Sequence, residues 1–139
     1  MLANPLVMPA YASPEIWLVA LVAMLAEIRT EVALLRRHVG AVDLSQSLLL
    51  INIMTWLVFL IAVDRLDASA PLLGWSIAGL ELAVVIAETF LIWGHLRIGA
   101  RARQASCVGF PRVAFAVLVG NIVSFAVSMV PVAIIWLLR

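Results

Sequence analysis

The chain contains no lysine: its nine basic side chains are all arginine, set against eight acidic ones for a formal net charge of +1. So balanced a charge gives no basic face for nucleic acid, and none is expected as a partner; the exclusive use of arginine reads as compositional bias. Cys107 is the only cysteine, so an intramolecular disulfide is impossible and the residue is read as a small loop hydrophobe. Charged residues are also scarce, at 12% against 65% hydrophobic over 139 positions, where a soluble domain runs nearer a quarter and a half. Such a chain has too little polar surface to cover a core in water. Missing too are a glycine-rich phosphate loop, a Cys-x-x-Cys pair and a usable Ser-His-Asp spacing, so no enzyme is expected. Ala10-Tyr11-Ala12 resembles a cleavage site, but neither a basic nor an apolar segment precedes it, and no signal peptide is expected.

What is present is length in apolar runs. Ile16 to Leu35, Leu44 to Val63, Pro71 to Trp93 and Val113 to Leu138 each approach the ~20 residues that carry a helix across the hydrocarbon layer. Only a helix satisfies every backbone group inside such a run. Pro14 and Pro71 stand at helix starts, where a missing N–H is harmless, and Pro131 is expected to kink the fourth helix. Arg36, Arg37 and His38 occupy the first connection, and His95, Arg97, Arg101 and Arg103 the third, whereas the second holds Asp64, Arg65 and Asp67. The positive-inside rule then puts the first and third connections in the cytoplasm and both termini outside the cell (inner) membrane. Trp17, Trp75 and Trp136 fall near the outer interface in that orientation, as an aromatic belt does.

The rarest polar residues recur in order. Pro14, Glu31 and His38 are spaced as Pro71, Glu88 and His95 are, and the segment from Asn52 to Val58 matches Asn121 to Val127 in residue type at six of seven positions. Apolar helices resemble one another in Leu, Val and Ala, but that does not bring Glu, His and Asn into register. The expected fold class is therefore all-α: a four-transmembrane-helix bundle made of two tandem helical hairpins, a parallel repeat about the membrane normal. Its divisions are an outer N-terminal tail (1–13), a first hairpin (14–63), an outer connection (64–70) and a second hairpin with a longer cytoplasmic loop (71–139).

Positions seven apart share a helix face at a separation of roughly 10 Å. Glu81, Glu88 and His95 form one such stripe, and Glu27, Glu31 and His38 another; Asn52 and Thr55 share a face, as do Asn121, Ser124 and Ser128. In otherwise apolar helices these stripes are expected to face the bundle interior as an intramembrane polar network, with Glu31 meeting Asn52 and Glu88 meeting Asn121. A protonated Glu and an Asn amide satisfy each other in hydrocarbon. Arg29 points away from Glu27, so its partner is expected on another helix or chain. His38 and His95 could together hold a haem or pigment, but a polar cap at the interface is the preferred reading, and no cofactor is expected. Four Glu and two His resemble a di-iron inventory, yet the Glu-x-x-His motif is absent and no metal is expected.

Asn52-x-x-Thr55, the run Glu81-Leu82-Ala83-Val84-Val85-Ile86-Ala87-Glu88 and Asn121-x-x-Ser124 together resemble a loose group of small, uncharacterised four-helix bacterial membrane proteins. The likeness covers the last three helices, and its most distinctive part is Glu-x-x-Val-Val-x-x-Glu. Where the group carries Pro two residues after the Thr and Gly four after the Ser, this chain has Leu57 and Ser128. The resemblance implies a fold and no chemistry. The leading functional expectation is an accessory or structural subunit of a larger membrane assembly, in contact with lipids and with other subunits or copies of itself. The alternative is a small oligomeric transporter or channel using its intramembrane Glu residues, and the third is a cofactor-binding redox or pigment protein.

Overall fold

A computed structural model describes residues 14–37, 39, 41–65, 73–103 and 107–137. The tail 1–13, His38, the stretch 66–72 and the side chain of Trp136 lie outside the described residues. The regular structure described is helical: α1 (Pro14–Leu35), α2 (Ala41–Asp64), α3 (Leu73–Ala102) and α4 (Phe110–Leu137). Three of these helices contain stretches long and apolar enough to cross a membrane: Leu44–Ala62, Gly74–Ala102 and Phe110–Pro131. α1 has 22 residues but carries Glu27, Arg29 and Glu31 within five positions. Large apolar side chains such as Leu18, Ile61, Trp75 and Ile98 are exposed around the bundle, the surface of a protein whose solvent is hydrocarbon.

Local chemistry explains where the helices start and stop. Pro14 opens α1 at a position whose N–H has no intrahelical acceptor. Pro111 does the same near the start of α4, where the Arg112 and Val113 amides donate to Gly109 O. α3 is longer than its apolar run suggests, passing Trp93 and continuing to Ala102. The extension has a buried anchor, because Ile92 and Leu96, four residues apart, both enter the core. Outside that anchor, the Arg97 guanidinium lies over the Trp93 ring at 5.0 Å, and Arg101 stands in the last turn, where its charge favours the helix dipole. Pro131 sits inside α4, which remains helical to Leu137.

α1 packs most extensively against α4, and α2 against α3, with thinner contacts between α1 and α2 and between α3 and α4. The α1–α4 seam is close where Gly120, which has no side chain, lies against the Glu27 and Glu31 side chains. The bundle differs along its length. At the arginine-rich end, Leu35, Leu44, Leu48, Leu96, Val113 and Val117 form a close-packed core, with Phe110 ringed by Phe90 and Trp93 beside it. At the opposite end Trp17 stacks edge-on against Trp56, and the interior between the helices is left open as a cavity.

Candidate functional site

Glu88 is 3% exposed and is the best-connected carboxyl of the chain's interior. The Asn121 amide donates to its Oε2 at 3.1 Å, the pairing expected from the sequence. The Thr55 hydroxyl donates to its Oε1 at 2.5 Å, so Glu88 joins α2, α3 and α4. Thr55 Oγ1 also lies 3.0 Å from Ile51 O and 3.1 Å from Asn52 O. Its single hydrogen therefore has a choice of acceptors. An ionised Glu88 takes that hydrogen; a protonated Glu88 donates its own to Thr55, whose hydrogen then turns to a backbone carbonyl. Rotation of one hydroxyl satisfies the site with or without its proton.

Glu27 and Glu31 are placed otherwise. They are 6% and 0% exposed, yet Glu27 Oε1 and both Glu31 carboxyl oxygens have no hydrogen-bond partner. The expected Glu31–Asn52 bond is not formed: Asn52 lies near Glu31, but its amide donates back to Leu48 O at 3.0 Å. The reason is the α1–α4 seam, which turns Glu31 toward Gly120. A Cβ on that glycine would lie 3.0 Å from Glu31 Cγ and 3.2 Å from Glu27 Cγ, so the carboxyl stems fill the space that glycine leaves. Ser124 lies near Glu27, and Glu88 is close enough to both α1 carboxyls to repel them when charged.

Glu27, Glu88, Asn52, Asn121 and Ser124 line one side of the cavity, whose volume is about 610 Å³. Trp56, Phe59 and Phe125 supply aromatic wall, with aliphatic side chains and methionine around them. Glu81 and Ser128 also line it. Glu81 is exposed rather than buried in the bundle interior as expected, because its turn of α3 borders the cavity and not a neighbouring helix. Ser128 donates back to Ser124 O at 2.9 Å. Arg29 is exposed on the outer side of α1. His95 is exposed on α3 with Nε2 2.8 Å from Ser47 Oγ, while its repeat mate His38 lies outside the described residues. Among the described residues, no group of three or more His, Cys, Asp or Glu is placed to hold a metal ion.

Two contributors escaped the reading of the sequence. Thr89, buried beside Glu88, bonds back to Val85 O at 2.8 Å and carried no pattern. Gly120 did carry one: Ala116, Gly120, Ser124 and Ser128 recur at intervals of four, a small-residue stripe that lets another helix approach closely. No family model, no curated protein and no solved structure matches the chain.

Proposed function

We propose that the chain is a small integral membrane transport protein whose buried carboxyls exchange a proton with a cation. The observation that carries this reading is the pair Glu27 and Glu31, buried with unpartnered oxygens beside Glu88 and the cavity. Glue between helices needs partners, and Glu27 Oε1 and both Glu31 oxygens lack them. An ionised carboxylate in hydrocarbon costs several kcal/mol unless a counter-charge joins it, so a proton or a cation is the companion such groups take. The groups facing them are Glu88 from α3, Asn52 from α2 and Ser124 from α4; among the described residues no basic side chain lines the cavity. The close-packed core at the arginine-rich end makes this a conformer closed on that side.

In this reading all four helices span the inner membrane, α1 included, with both termini outside and the arginine-rich connections cytoplasmic. The two tandem hairpins carry the site between them. Their duplication is supported by burial in register: Glu31 and Glu88 are both buried, and Leu44 and Leu48 correspond to Val113 and Val117, all at most 1% exposed. Reconstitution tests the function. Liposomes containing the protein are expected to pass protons or small cations down an imposed gradient, and Glu88→Gln, which keeps shape and hydrogen bonding, is expected to fold and lose that flux. A folded Glu88→Gln protein with unchanged flux would remove the reading.

An accessory subunit of a larger assembly is the second reading, and Arg29 favours it. An arginine exposed on the outer side of a membrane helix is best accommodated by an acidic group of another chain or by lipid headgroups reached by snorkelling. Extraction in mild detergent separates the two: co-migration with unrelated chains supports the subunit, and a lone chain or homo-oligomer supports transport.

A further inference from the structure

We propose that the cavity is the binding site for a lipophilic organic cation, which enters from the lipid between α3 and α4. This deepens the transport reading by naming the substrate class. A volume of about 610 Å³ falls within the 300–1,000 Å³ typical of drug-sized ligands. The wall is mostly Val, Ala, Leu, Met, Phe and Trp, which suits an apolar body. Trp56, Phe59 and Phe125 provide π faces that attract cations. Glu27 lines the cavity, and its buried Oε1 has no hydrogen-bond partner. Among the described residues, anions find no basic side chain on that wall.

Entry from the lipid follows from which walls are open. The α1 and α2 linings are buried, as Ala23, Glu27 and Asn52 are, or half-buried, as Trp56 and Phe59 are. The exposed linings are on α3 and α4: Leu82 is 61% and Phe125 55% exposed, while Glu88, deeper on α3, is buried. The mouth therefore lies between α3 and α4, with Glu81 at its edge. Seating a cation beside a protonated Glu27 breaks the carboxyl O–H bond, sends the proton to water and leaves an ion pair. No oxidant or further reactant is involved.

Tetraphenylphosphonium and tetraphenylborate share a shape and differ in the sign of their charge, so equilibrium binding of each to the purified full chain in detergent is the test. The phosphonium is expected to bind at least about tenfold more tightly than the borate, about 1.4 kcal/mol, and to acidify a weakly buffered solution as it does so. Glu27→Gln is expected to weaken phosphonium binding about tenfold and to abolish the acidification. Glu81→Gln, at an exposed position with no packing to lose, is expected to weaken it several-fold, and keeps the test decisive if the Glu27 variant fails to fold. Equal binding of the two ions would overturn the proposal by showing an apolar sink. So would absence of phosphonium binding while Glu88-dependent flux persists, an outcome that leaves the transport reading standing. Selective, Glu27-dependent binding without any flux would support the site and remove transport.

Discussion

A buried carboxyl is tolerated when its oxygens find donors, and Glu88 and Glu31 stand on opposite sides of that condition. Glu88 has Thr55 and Asn121; Glu31 has none. Replacing a buried, unsatisfied polar group with an apolar one of similar size is stabilising, by about 1–3 kcal/mol. Glu31→Met is therefore expected to raise the thermal unfolding midpoint in detergent, followed by tryptophan fluorescence, while impairing transport. Glu88→Leu is expected to lower it modestly, by about 0.6–1.7 kcal/mol, because Thr55 and Asn121 retain the backbone acceptors Ile51 O and Val117 O. A Glu31→Met protein less stable than the parent would mean that the carboxyl has a partner after all. At this scale the sequence was legible as far as the residue types: Glu, Asn and Thr in apolar helices announce an interior network. Which Glu received a donor was not legible, since that depends on a neighbour's rotation by a fraction of a turn.

Between elements, the α1–α4 seam and the α3 extension respond to the same substitution with opposite signs. At Gly120 an added methyl would press on the Cγ atoms of Glu31 and Glu27 at 3.0 and 3.2 Å. These are stem atoms, not free ends, and they must give by a few tenths of an ångström within a packed seam. Gly120→Ala is expected to destabilise the protein by about 1–3 kcal/mol, the usual cost of overpacking, and the double variant with Glu31→Ala is expected to recover most of the loss. At Gly94 and Gly99 an added Cβ meets nothing within 4 Å, and alanine there is expected to stabilise α3 by about 0.5–1 kcal/mol. Denaturation midpoints of the variants check both signs; a neutral Gly120→Ala would mean that the seam has slack. The apolar run stops at Trp93 because a mean of hydropathy falls wherever arginines begin, whereas α3 continues to Ala102. Leu96, buried four residues past Ile92, was the signal that the helix continues.

For the whole molecule, orientation is testable without introducing a reporter. Cys107 is exposed and stands in the connection between α3 and α4, among the arginines. A membrane-impermeant maleimide is expected to label it in inverted vesicles and not in intact cells. Labelling from outside would reverse the topology, and with it the side from which the cavity is closed. The same experiment with a phosphonium ligand present is expected to give unchanged labelling, since Cys107 lies at the end remote from the cavity.

Composition and apolar run length by themselves determined that this chain belongs in a membrane and that its elements are helices, because hydrocarbon leaves the backbone no other way to satisfy itself. They also determined which polar side chains enter those helices, including the Glu88–Asn121 pair, whose depths match along α3 and α4. Only the tertiary structure decided that α1 lies closest to α4, so that Glu27 and Glu31 meet Gly120, and Glu27 Oε1 and both Glu31 oxygens go without donors. It alone decided that one end of the bundle closes on Leu35, Leu48 and Val117 while the other opens into a cavity. A cavity is the volume that packing fails to fill, and that volume depends on how far apart four helices stand, a quantity that no single helix's sequence contains.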